Sequence, residues 1–423
     1  MVAPNEVHGK PGLYCQRWPQ SLSALNLGRL LRALAFTHLH CASGYSFKYG
    51  TALPEALVAR AAELEMPALA LTDRAELGGL AGAIRFSQAC QKKNIRPILG
   101  ADFLIAPPLI VRARKEKSAP VIPPIKGGSE VERKYPRATL LATPAGWRNF
   151  IRLTSATEAG LLTRENLSRY GKGLILLLGP DSDVGRHIES NRADLAEQAF
   201  NEWSEYFPRD LITIEAVSHR VPGVGKWSTH HAGKLTLFGR MMKAPVLLSN
   251  NVRMLEASDA PVAEVLDAIR KLVPLSSRHI ENVTDQAYLK SSAEMFQIAK
   301  EIAQSAGERN EYELLATTHE WAQRCELSPT RDIGLGGVHL PEPEVVGLSS
   351  YGEMAHHLKA RCEVRLTSRY SGEKLSVATE RLHQELQTVN TLGYEAYFLA
   401  VADIVDSARR SGIRVAARGS GAG

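Results

Sequence analysis

FTHLHCASGYSF (residues 36–47), ALALTDRAELGGLAGAIRF (68–86) and RPILGADF (96–103) decide how this chain folds. The runs Phe36–His40, Ala68–Thr72 and Arg96–Leu99 are short and apolar, of strand length. Between them lie the helical patterns Pro54–Glu65, with proline in its first turn, and Leu77–Asn94. Strand, helix and strand in succession predict a mainly parallel sheet. Polar residues stand at the strand ends. His38 and His40 are two apart on a predicted strand, so both imidazoles face one side and can reach one metal, or serve as ordinary structural residues. Asp73, at the end of the next strand, either joins them or caps the following helix.

The pattern continues outward through Ala138–Ala142, Leu174–Leu178, Leu211–Ala216 and Val246–Ser249, with a helix over Ala193–Tyr206. These runs predict an α/β, barrel-like (β/α) domain over 36–275, whose functional residues gather at the C-terminal strand ends. Beyond Ala260 the pattern turns helical, with Ala260–Lys271 and Ser292–Gln304. Residues 276–345 read as a helical connection ending in the Pro/Gly-rich linker that contains HLPEPEVVG. Helices are expected near Glu353–Thr367 and Val377–Leu392, then the aromatic passage GYEAYFLAVADIVDSARRSGIRV, so that 346–423 forms a last domain. There Tyr394, Tyr397 and Phe398 share a helix face and are expected to pack in a core, while Arg409, Arg410 and Arg414 form a solvated one. Residues 1–35 show little pattern and are left unassigned.

With 44% hydrophobic and 23% charged residues, the composition is that of an ordinary soluble globular protein. The five cysteines, Cys15, Cys41, Cys90, Cys325 and Cys362, are scattered without a CxxC, which argues against a disulfide framework or zinc ribbon and fits a reducing, cytoplasmic setting. No apolar run has the length of a membrane span, and Arg29 and Arg32 interrupt the stretch near the N-terminus. The net charge of +6 is concentrated between Val111 and Arg137, where eight Lys/Arg face three Glu among several prolines and glycines. That segment reads as a solvated surface loop, with phosphate attraction as the alternative.

Taken in order, the opening stretch, ATLLATPAGWRNFIRLTSA (138–156), APVLLSNNVRMLEASDAPVAEVLDAI (244–269), YLKSSAEM (288–295) and the passage from Leu392 to Gly423 resemble the bacterial C-family DNA polymerases. That family comprises the DNA polymerase III alpha subunit and its error-prone relatives. The resemblance implies a PHP domain, then helices, then the start of a polymerase palm. It also implies a parent activity of template-directed nucleotidyl transfer with Mg2+, acting on primer-template DNA and deoxynucleoside triphosphates. A proofreading exonuclease and a sliding clamp are the implied protein partners.

Carried over position by position, the resemblance places a Zn2+ or Mn2+ site at His38, His40, Asp73 and Asp102, the last in place of a family glutamate. Four positions depart from the pattern: Tyr49 stands for an aspartate, Arg74 for a histidine, and Asn251 and Arg253 for an aspartate and a histidine. Guanidinium groups cannot ligate a metal and repel cations. Arg74 and Arg253 are therefore expected to pair with Asp73 or Asp102 and hold a vestigial rim together.

The terminal ARGSGAG offers glycines and a hydroxyl to a phosphate, and the resemblance assigns nucleotide contact to Arg418, Gly419, Ser420 and Gly421. In that family the paired aspartates that hold the polymerising metals lie beyond this loop. The chain thus reads as an N-terminal fragment, inactive alone as a polymerase. Two other readings stand beside it: a free-standing PHP phosphoesterase or 3′–5′ exonuclease, and a non-catalytic docking module for a proofreading exonuclease.

Overall fold

The structure, a computed structural model, describes residues 35–106, 135–157, 160–276, 284–308 and 311–416. They fall into two compact units, Met1–Leu335 and Gly336–Gly423.

In the first unit the strands β1 (Ala68–Leu71), β2 (Arg96–Ile105), β3 (Arg137–Ala142), β5 (Leu174–Leu178), β6 (Ile212–Val217) and β7 (Val246–Ser249) form one sheet in that order, with the two-residue β4 (Leu161–Leu162) on β2. Strands β1, β5, β6 and β7 are buried along their whole length, which is why they read as unbroken apolar runs and not as alternating ones. Pairing is parallel except at β3, which runs antiparallel to both β2 and β5. The expected strands from Ala68 to Ser249 thus appear, within a residue or so except that β2 runs on to Ile105.

Phe36–His40 differs from expectation, since it is not a regular strand. It is an extended segment whose backbone is shared between two sides. The His38 and Cys41 carbonyls accept from the amides of Ala70, in β1, and Thr72, just after it, while on the far side, beyond β7, the Ala42 amide donates to the Val252 carbonyl and the Val252 amide to the His40 carbonyl. Splitting its bonds between two neighbours denies it a continuous ladder, yet it draws the two outer strands of the sheet together. The result is the barrel-like curl.

The helices are α1 (Pro54–Glu63), α2 (Ala83–Lys93), α3 (Trp147–Ala156), α4 (Arg164–Tyr170), α5 (Asp183–Glu189), α6 (Ala193–Tyr206), α7 (Thr229–Met241), α8 (Ala260–Lys271), α9 (Ser292–Ser305) and α10 (Tyr312–Cys325). Helix α9 starts on a reciprocal cap between Ser291 and Glu294, a sequence-local signal. Inside the curl, Leu39, Ala70, Ile98, Leu141, Leu177 and Leu247 pack together with Trp321 and Cys325 of α10. The Leu327 amide bonds the Pro97 carbonyl near the start of β2, so α10 stoppers the N-terminal end of the strands. The opposite, C-terminal end carries the polar residues.

In the second unit α11 (Tyr351–Thr367), α12 (Glu373–Leu392) and α13 (Glu395–Arg410) surround a small core of Met354, Leu358, Ala396 and Leu399. Arg361 and Arg365 tie α11 to Asp403 and Asp406 of α13. The aromatic face is not the buried one: Tyr397 and Phe398 are half exposed, because Ala396 and Leu399 supply the packing stripe. Arg409, Arg410 and Arg414 are exposed as expected. Among the described residues no helix is long and apolar enough to cross a membrane.

Candidate functional site

At the C-terminal strand ends Asp73 follows β1 and is wholly buried. Its carboxylate accepts from the Ser43 amide (2.6 Å), the Ser43 hydroxyl (2.9 Å) and the Ser46 hydroxyl (2.7 Å). Burial raises its pKa against the pull of these donors. Among the described residues no arginine pairs with it, so of the two expected carboxylate partners Asp73 is not the one used. Its work is to pin the loop CASGYS over the end of β1, because three nearby donors satisfy it before any guanidinium reaches it.

His38 is equally buried. Its Nε2 donates to the Lys290 carbonyl at 2.9 Å, and its ring meets Phe36 edge-on at 4.9 Å. Burial lowers its pKa to about 4, so the ring is neutral at physiological pH. His40 points elsewhere. Its Nδ1 lies 2.8 Å from Glu215 Oε1 on β6 and its Nε2 3.3 Å from Thr139 Oγ1 on β3. Burial alone would lower the His40 pKa, but the Glu215 carboxylate outweighs it and raises it.

The pairing of β2 with β3 sets Asp102 opposite Thr139, with Arg137 two residues along on the same face. Arg137 Nε donates to Asp102 Oδ2 at 2.6 Å, and Nη1 and Nη2 grip both oxygens of Glu76 at 2.8 and 3.1 Å. Burial pushes the Asp102 carboxyl up, against Arg137; for Glu76 burial acts the same way but Arg137 outweighs it and the pKa is lowered. His40, Arg74, Asp102, Arg137, Glu215 and Asn251 line a cavity of about 20 Å³, the space of a single water.

Of the other two arginines, Arg74 keeps to an expected partner, Asp102, and Arg253 does not. Arg253 makes a two-pronged bond to Asp267 of α8 at 3.0 and 3.1 Å and donates to the Tyr49 carbonyl at 2.9 Å. Asp267 is held as well by Arg270 at 2.7 Å. The Arg74 guanidinium carbon lies over the Tyr49 ring, 3.4 Å from its centre, and that of Arg253 lies over the same ring at 4.0 Å. The nearest carboxylate oxygen to Arg74 is that of Asp102, at 3.9 Å. The Tyr49 ring thus gathers guanidinium groups, with Arg270 a third at 5.8 Å, at the position expected from the resemblance to hold an aspartate.

Of the four residues proposed from sequence, the structure brings His40 and Asp102 to one cavity and turns His38 and Asp73 away from it. Among the described residues no group of three His, Cys, Asp or Glu is arranged to hold a metal. The donor set does not fit a divalent ion, because Asp102 is engaged by a guanidinium and His40 by Glu215. Glu76, Arg137 and Glu215 escaped the sequence reading. Glu215 had a signal, a charge inside the apolar run ITIEAV. Arg137 belongs by composition to the basic loop, yet its side chain is only 10% exposed. Arg418–Gly421 lie outside the described residues, as does the basic segment as far as residue 134.

Residues 38–219 match the PHP domain model, and residues 356–423 match the model of the bacterial DNA polymerase III alpha NTPase domain. The DNA polymerase III subunit alpha of Escherichia coli K12 is 30% identical over 403 residues, which covers 92% of this chain and 31% of that protein. The error-prone DNA polymerase of Symbiobacterium thermophilum is 30% identical over 418 residues, 92% of this chain and 33% of that one. The chain thus spans about a third of the length of the curated relatives it matches. Among solved structures, a two-domain protein containing a predicted PHP-like metal-dependent phosphoesterase from Bacteroides vulgatus is similar at 10% identity and a TM-score of 0.31, over 60% of this chain and 63% of that one.

Proposed function

We propose that this chain, a PHP domain followed by sequence of the DNA polymerase III alpha NTPase domain, serves template-directed DNA synthesis by a replicative or error-prone polymerase. In this reading the PHP rim is a structural element without a resident divalent ion. The observation that carries it is the Arg137 guanidinium 2.6 Å from Asp102, in the cavity that the metal reading requires. A fixed cation there repels Zn2+ or Mn2+ and takes up the lone pairs they would use. The same geometry weighs against a PHP phosphoesterase or exonuclease, which needs an activated water on a metal. Synthesis itself would draw on Mg2+, primer-template DNA and deoxynucleoside triphosphates, with Arg418, Gly419, Ser420 and Gly421 meeting the triphosphate.

The test is elemental analysis of the purified protein together with its melting curve in EDTA and its hydrolysis of a chromogenic phosphate ester. We expect far less than one transition-metal ion per chain, an unchanged melting curve and no hydrolysis above buffer. Stoichiometric zinc or manganese with a chelator-sensitive melting point would overturn the ion-free rim and restore the phosphoesterase reading.

A further inference from the structure

We propose that Arg137 is the resident cation of this rim: its guanidinium bridges Asp102 and Glu76 and neutralises the carboxylates that a divalent ion would otherwise have to neutralise. The proposal rests on the ion-free reading above and assigns it to one residue.

Three observations support it. The first is the use of the side chain. Nε serves Asp102 Oδ2, Nη1 serves Glu76 Oε1, and Nη2 serves both Glu76 Oε2 and, at 3.2 Å, the Asp102 carbonyl. All three nitrogens are engaged, a geometry that a planar fork provides and a lysine does not. The second is burial. The side chains of Arg137, Asp102 and Glu76 are 10%, 8% and 16% exposed, so solvent screens the contact weakly. The third is placement. Arg137 opens the antiparallel strand β3, its own amide donates to the Asp181 carbonyl at 3.0 Å, and Arg186 holds the neighbouring Tyr135 carbonyl at 2.8 Å. The backbone is fixed before the side chain is used, so the guanidinium is delivered to the carboxylates at small entropic cost.

The charge balance points the same way. Without Arg137 the buried Asp102 and the largely covered Glu76 would have no hydrogen-bonded cation among the described residues, since Arg74 reaches Asp102 only at 3.9 Å. A metal ion would join the same elements, but it is lost to chelators and polarises a bound water. The guanidinium does neither, so the rim becomes independent of metal supply and chemically inert.

The experiment is a double-mutant cycle on the full chain, read as melting temperature. Arg137→Ala should lower it by roughly 6–12 °C, as loss of one partner of a buried ion pair does in a unit of this size. The same change at exposed Arg148 should leave it unmoved. In an Asp102→Asn background the loss from Arg137→Ala should be clearly smaller, because the stranded charge is gone. Ethylguanidinium chloride should raise the melting temperature of Arg137→Ala above a matched sodium chloride control and leave the unmodified protein where it was. If Arg137→Ala does not fold, Arg137→Lys, which keeps the charge without the fork, should show a smaller loss that the Asp102→Asn background also reduces. A loss that is the same in both backgrounds, or no greater than at Arg148, overturns the assignment to Arg137. Metal found in the unmodified protein would instead remove the reading beneath it, so the two failures are distinguishable.

Discussion

Replacing Arg253 by alanine probes the densest set of contacts at the rim. The side chain makes a two-pronged bond to Asp267, two bonds to the Tyr49 carbonyl at 2.9 and 3.2 Å and one to the Ala263 carbonyl, and it stacks on the Tyr49 ring at 4.0 Å. Removing one member of a buried ion pair costs about 3–5 kcal/mol when its partner is left stranded. Here Asp267 keeps Arg270 at 2.7 Å, which takes the expectation to the lower end, about 3 kcal/mol. Arg253→Lys keeps the charge but loses the fork, and should cost about half as much, roughly 1.5 kcal/mol. The tryptophans among the described residues, Trp147, Trp203, Trp227 and Trp321, lie within the first compact unit, so urea unfolding followed by tryptophan fluorescence reports on that unit. A loss below about 1 kcal/mol in Arg253→Ala would mean that a surface-like ion pair, not a buried hub, holds α8 to the rim, and the reasoning would fail.

His38 and His219 are both buried with pKa lowered to about 4, so each folded ring resists a proton that the unfolded chain takes up near pH 6.5. Their contribution is present above pH 6.5 and falls as pH drops toward 4, by about 2 kcal/mol per ring at pH 5. His40 works in the opposite sense: its raised pKa gives stability present below 6.5 and lost as pH rises through the folded value. His219→Gln should therefore flatten the pH 6.5–4.5 part of the stability curve; an unchanged slope there would contradict a buried neutral ring. A Cβ placed at Gly179 would stand 2.2 Å from Glu215 Oε2, so Gly179→Ala should push Glu215 off His40 and cost about 1–3 kcal/mol by urea unfolding, whereas full stability would show that Glu215 has room to move. Leu399 is buried in the small core of the second unit, and Leu399→Ala should cost about 2–4 kcal/mol in the helical circular dichroism transition while leaving the tryptophan transition unmoved.

Much of the first unit's architecture was legible because its strands are covered on both sides. A fully buried strand such as LILLL at Leu174–Leu178 has no alternative to an apolar run, so its limits are written in composition. Helices with local start signals were equally clear, as with Ser291 and Glu294 ahead of α9. The antiparallel turn of β3 was not, because strand direction depends on what the connecting segment does and leaves no mark on RATLLA itself. Phe36–His40 looked like a strand for a related reason. Its residues are suited to one, and only the division of its backbone bonds between β1 and Val252 prevents a ladder.

At the rim, the sequence located the right residues and one right pair, Arg74 with Asp102, but misplaced the partners of Asp73 and Arg253. Arg74 and Arg253 were visible as charges in a place suited to metal ligands, and the nearest carboxylates in the motif were Asp73 and Asp102. The actual partners follow from side-chain reach and local competition. Two serines within the CASGYS loop claim Asp73, and α8 presents Asp267 to Arg253. Tyr49, which read as a lost aspartate, is then better understood as a gain: its aromatic ring attracts the guanidinium groups of Arg74 and Arg253 that crowd this part of the rim. Arg137 was the hardest to find, since it ends a basic stretch whose composition suits a solvated loop. What distinguishes it is the strand that begins at its own residue: once β3 pairs with β2, that side chain faces the carboxylate of Asp102. A charge at the boundary between loop and strand therefore belongs to the strand, and should be assigned by strand register before it is counted with the loop.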